Sequence, residues 1–180
     1  IFSEALPYGT WEVATDPNGN VYLETGYLPG NPGSWASTLN YYRIRKGLTD
    51  PVTGNVTWTV VDDYPGSGQF SHRADSITIR PKSNPTLTAE IWVAGSAINA
   101  KTFNDSFPFV RRSLDGGMSW ATANAWPVPR GYSFVAGNVV SGADINGVAY
   151  VSVRYQKKVG KAVQNDMLTF RSVNQGASWT

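Results

Sequence analysis

The chain has 180 residues, a formal net charge of +2, no cysteine and one histidine, which excludes disulfides, thiolate metal sites, cysteine nucleophiles and two-histidine zinc motifs. So small a charge spread along the chain is no nucleic-acid footprint, and no apolar run approaches the ~18 residues needed to span a bilayer. Charged residues are only 16%, and seven Trp, nine Tyr, 18 Gly and 11 Pro make the chain too aromatic for disorder and too turn-rich for a helical bundle.

The chain opens at Ile1 without a methionine or a signal-like stretch, so it is expected to be a processed or excised piece. Ile1-Phe2-Ser3-Glu4-Ala5-Leu6 reads as one short strand closed by Pro7. Three units then follow, at approximately 7–64, 65–126 and 127–180. Each opens with a hairpin, whose turns are Asp16-Pro17-Asn18-Gly19, the 81–85 segment and Asp144-Ile145-Asn146-Gly147. The second arms are Asn20–Glu24, Glu90–Ala94 and Val148–Val153. A third strand follows, at 41–45, 108–112 and 167–171. Between the last two arms lie stretches read as long loops, at 26–39, 95–106 and 154–166. Nothing between the turn signals has the length or period of a helix.

Each third strand runs into a turn that ends in tryptophan. Ser113-Leu114-Asp115-Gly116-Gly117-Met118-Ser119-Trp120 and Ser172-Val173-Asn174-Gln175-Gly176-Ala177-Ser178-Trp179 are alike, and the stretch from Asp50 to Trp58 is a looser copy. The tryptophans recur about every sixty residues, a period that suits a four-stranded propeller blade. An Asp, Asn or Ser oxygen accepts N–H groups of its own turn, glycine supplies positive φ, and the indole covers a neighbouring strand. The expected fold is therefore all-β, a β-propeller of four-stranded antiparallel blades with about three blades in this chain.

The residues Ser113, Asp115, Gly117, Ser119 and Trp120, with Ser172, Asn174, Gly176, Ser178 and Trp179, resemble the Asp-box (BNR repeat) of sialidase-like propellers. In that family these residues are structural. The Cys-free, Trp-rich and Gly/Ser/Thr/Asn-rich composition leads to the expectation of a secreted or cell-surface protein of bacterial export type. Three blades do not close a ring. The chain is thus half of a six-bladed ring, a homodimer in which two copies exchange their N-terminal strands, or part of a longer propeller.

Long loops on a rigid scaffold carry binding. On the loop-rich face the candidates are Trp35, Tyr27, His72, Arg73, Arg130, Tyr132 and Tyr155, a mixture of ring faces and polar groups suited to a sugar. The leading expectation is a glycan- or protein-binding module. A sialidase-type glycoside hydrolase is the alternative, for which Arg73 and Arg130 are candidates for a carboxylate clamp and Glu12 or Asp75 for the acid. A structural repeat unit of a surface protein is a third. No phosphate-cradling, dinucleotide or calcium-loop motif is present, so no cofactor and no metal is expected.

Overall fold

The computed structural model describes residues 10–27, 41–64, 70–80, 88–99, 101–102 and 105–180. The N-terminal strand 1–6, Trp35 and the 81–85 turn lie outside them, as do the side chains of Trp11 and Tyr27.

Runs of β-branched and aromatic residues punctuated by Gly, Pro, Asn and Asp produce strands and no helix among the described residues, hence no helix long and apolar enough to cross a membrane. The first sheet is the antiparallel meander β1 (Thr10–Thr15), β2 (Val21–Tyr27), β3 (Tyr41–Thr49) and β4 (Val56–Tyr64). The second is β5 (Phe70–Arg80), β6 (Glu90–Asn99), β7 (Phe107–Ser113) and β8 (Ala121–Ala125). The third has three strands, β9 (Ser133–Ala143), β10 (Ala149–Val159) and β11 (Ala162–Ser172).

Two buried clusters join the sheets in sequence. Tyr22, Tyr42 and Ile44 of the first sheet pack on Ile77, Ile91, Val93 and Phe109 of the second, with Trp120 against them. Trp92, Ala94, Val110 and Trp126 pack on Val139, Val151, Val153 and Tyr155 of the third, with Trp179 and Phe170 against them. The second sheet thus has a rear face that meets the first and a forward face that meets the third, and alternation along its strands separates the two sets. The first strands of the second and third sheets are also zipped by hydroxyls: Ser76 Oγ accepts the Ser141 N–H (2.7 Å), and the Thr78 hydroxyl donates to the Ser141 carbonyl (2.9 Å).

The tryptophan turns are closed by their own side chains. The Ser113 hydroxyl donates to Asp115 Oδ1 (2.7 Å) while Ser113 Oγ accepts the Gly117 N–H (2.8 Å), and Asp115 Oδ1 accepts the Ser119 N–H (2.9 Å). In the third sheet Ser172 serves Gly176 and Asn174 serves Ser178 in the same way (2.7 and 2.9 Å). One bond reverses. The Ser119 hydroxyl donates to Asp115, whereas Asn174 Nδ2 donates to Ser178 Oγ (2.8 Å). Both turns press on the preceding sheet: a Cβ on Gly117 would meet Val61 at 3.2 Å, and one on Gly176 would meet Trp92 at 3.0 Å.

Several sequence expectations are corrected. The stretch from Asp50 to Trp58 is not a looser clasp of this kind. Trp58 does stand at the register of Trp120, opposite Gly47 where Ser113 stands. The chain between is longer, so the hairpin continues by two pairs to an Asp50–Asn55 turn, in which Asp50 Oδ1 accepts the Val52 and Thr53 N–H groups (2.8 and 3.1 Å). The stretch 154–166 is no loop: β10 and β11 pair without interruption to Val159–Ala162, and Gly160 at φ +64° makes the tight turn. Its polar composition misleads because the tip extends past the last β9 pair, Ser133–Gln156, so neither face is covered there. The 95–106 loop is likewise shorter than expected, since β6 runs to Asn99, and His72 and Arg73 lie inside β5.

Candidate functional site

The end of the sheets opposite the clasp turns carries a cavity of about 500 Å³. Its walls are Asp105, Ser106, Phe107, Ala125, Trp126, Pro127 and Val128. The buried Asn99 at the end of β6 organises this corner. Its Oδ1 accepts the Lys101 and Thr102 N–H groups (2.9 and 3.2 Å), and its own N–H donates to Ser106 Oγ (3.1 Å). The turn so formed presents Asp105, whose Oδ2 accepts the Thr102 hydroxyl at 3.0 Å. Opposite, the Trp126 N–H donates to the Pro108 carbonyl (3.1 Å). The Trp126 indole is stacked on Phe170 (4.7 Å, 22°) and meets Trp179 edge-on (5.2 Å, 81°). The result is an apolar wall with an exposed carboxylate at its rim.

A second group of candidates lies on the first strands. Asp75 occupies a bulge in β5 between Ala74 and Ser76. It forms an ion pair with Arg73 (Nε to Oδ1, 3.1 Å) and accepts the Ser96 hydroxyl, and Ser96 Oγ accepts the Gly137 N–H of β9 (3.1 Å). The side chain of Asp75 is only 1% exposed, against 40% for Arg73. Burial raises its carboxyl to about 6, although Ser96, Arg73 and the Gly137 and Val139 amides pull it down. Gly95 makes room for this corner, since a Cβ there would strike the Arg73 carbonyl at 2.1 Å. The Arg73 guanidinium lies over Gly137, which holds φ +79°.

Of the proposed clamp and acid, the structure joins Arg73 to Asp75 alone. Glu12 sits on β1 opposite the buried Glu24, and Arg130 is exposed between β8 and β9. Asp75 is committed to joining the second and third sheets, and that leaves it out of reach of a ligand.

Tyr132 closes a third group: its hydroxyl donates to Asp166 Oδ2 (2.7 Å) and accepts from Lys157 Nζ (3.0 Å), which also pairs with Asp166 (3.3 Å). The expectations for His72 and Tyr155 are corrected by burial. His72 is wedged between Tyr64 and Phe109 (4.6 and 5.5 Å). Tyr155 is fully buried against Tyr132 and Phe134, and burial raises its hydroxyl to about 12. Trp35 and the Tyr27 side chain lie outside the described residues. Asn99, Phe107, Trp126 and Val128 were not singled out as site residues by the sequence; the one available signal was Trp126-Pro127, an aromatic and a proline ending a strand.

No protein-family model and no curated protein matches the chain. Among solved structures it is similar to a protein of unknown function from Dyadobacter fermentans DSM 18053, with a TM-score of 0.60 and 13% identity. The match covers 100% of this chain and 51% of that one, so this chain spans about half the length of that protein. The likeness concerns the fold alone.

Proposed function

We propose that the chain is part of a propeller of Asp-box type and binds a sugar in the cavity beside Trp126. The observation that carries this reading is the pairing of an apolar wall, Phe107–Trp126–Pro127–Val128, with the rim carboxylate of Asp105. A pyranose offers an apolar face to such a wall and hydroxyls to such an acceptor. Trp126, at the end of the second sheet, is braced by the third through Phe170 and Trp179.

Titration of the protein with a panel of mono- and oligosaccharides, followed by tryptophan fluorescence, tests the reading. At least one sugar is expected to shift the emission. Asp105→Ala is expected to weaken that sugar about tenfold, ~1.4 kcal/mol, with the fold intact because Asp105 is exposed. Silence across the panel, or a response indifferent to Asp105→Ala and to Val128→Asp, would remove it.

A further inference from the structure

The nine aspartates of the chain are held in one of two ways, with a single exception. Asp62, Asp63, Asp75 and Asp166 each pair with an arginine or a lysine. Asp16, Asp50, Asp115 and Asp144 each accept backbone N–H groups of their own turn. Asp105, at the rim of the cavity, has neither kind of partner among the described residues. Its bonds come from the Thr102 hydroxyl (3.0 Å) and from Asn99 Nδ2 (3.5 Å), and both fall on Oδ2. Lys101 and Arg130, the other charged residues of the adjoining segments, are exposed. Neither comes within the 4.0 Å of an ion pair with Asp105.

This carboxylate is nonetheless fixed in place. Asn99 is fully buried, and its Oδ1 holds the Lys101 and Thr102 N–H groups from which the turn is built. The turn sets Asp105 on the same cavity as Phe107, Trp126, Pro127 and Val128. An ionised group beside such a wall loses hydration. A donor that is itself charged offsets that loss best, because charge-assisted hydrogen bonds are about twice as strong as neutral ones. The wall adds a second requirement, since it rewards an apolar body and stabilises a cation near its aromatic rings. A bare metal ion meets neither condition. A divalent cation takes about six or more oxygen ligands, and no group of acidic or histidine side chains suited to a metal occurs among the described residues.

We infer that the cavity selects a protonated amine carried on an apolar ring. This rests on the reading of the cavity as a sugar site, and within that reading the ligand is an amino sugar. Its ammonium meets Asp105 Oδ1 while the C–H face of the ring lies against the wall. A sugar with a hydroxyl or an acetamide in place of the amine keeps the apolar contact and loses the ion pair.

Glucosamine, N-acetylglucosamine and glucose titrated at about pH 6, where the amine is protonated, and followed by tryptophan fluorescence test the inference. Glucosamine is expected to bind about fivefold tighter than the two neutral sugars, the scale of an exposed ion pair. Asp105→Asn keeps the size of the side chain and an acceptor for the Thr102 hydroxyl. It is expected to abolish the preference and leave the neutral sugars little changed. The preference is also expected to fade as pH rises through about 8, where an amine of this kind loses its proton. Cyclohexylammonium and cyclohexanol, which share a ring and lack the sugar hydroxyls, separate the charge from the sugar. Amino and neutral sugars that bind alike would overturn amine selection and leave the sugar site standing. A preference that survives Asp105→Asn would overturn it too. Cyclohexylammonium bound through Asp105, with silence from every sugar, would uphold amine selection and remove the sugar reading. Silence from all of these ligands would remove both.

Discussion

Ser113 and Asp115 illustrate how far a turn can be specified by its own side chains. The carboxylate is partly desolvated, which by itself raises its pKa. Bonds from the Ser119 hydroxyl and N–H, from Ser113 and from the Met118 N–H outweigh that and bring it down to about 2. A lowered carboxyl contributes stability that is present above its unfolded value near 4 and is lost as pH falls through about 2. Asp115→Ala is expected to cost about 2 kcal/mol in urea denaturation at pH 7, and Asp115→Asn far less, because Asn174 already makes the equivalent turn. Asp75 has the opposite sign. Its folded value near 6 exceeds the unfolded 3.8, so the folded state binds the extra proton and loses stability as pH rises from about 4 to above 6. The span is worth at most about 3 kcal/mol. Asp75→Asn is expected to flatten the melting temperature across that window, and an unchanged slope would contradict this account. The clasp residues were legible in the sequence because their partners lie within four positions. The Asp62–Arg111 pair was not, because 49 residues separate its members. Arg111→Ala would leave Asp62 buried without its cation and is expected to cost about 3–5 kcal/mol by denaturation.

At the scale of elements, glycine separates docking from mere turning. Gly176 and Gly54 both have positive φ, +80° and +71°. A side chain at Gly176 would strike Trp92, whereas Gly54 has nothing within 4 Å. Gly54→Ala is therefore expected to cost about 1 kcal/mol of backbone strain, and Gly176→Ala about 2–4 kcal/mol, strain and overpacking together. Thermal unfolding of the two variants checks the difference, and equal losses would mean that the clasp does not bear on the second sheet. The alternation of the strands was readable from period alone. Two features were not. The turn before Trp58 is a longer Asp50–Asn55 hairpin turn and not a clasp, and the polar tip of the β10–β11 hairpin is held by backbone pairing with little burial.

Over the whole molecule, the first strands β1, β5 and β9 lie next to one another in turn, and the same register positions fill both junctions between sheets. Trp120 and Trp179 each lie against the sheet before their own. Trp58 projects from the rear face of the first sheet, which no described sheet precedes. A sixty-residue recurrence is thus a recurrence of interfaces, which is why the repeat was visible in one sequence while the cavity, built from the ends of β7 and β8, was not. The account stands most directly on a crystal structure of this chain. It predicts that one rotation carries the first sheet onto the second and the second onto the third, with Trp179 edge-on to both Trp92 and Trp126. Sheets related by dissimilar rotations, with Trp179 in solvent, would contradict it.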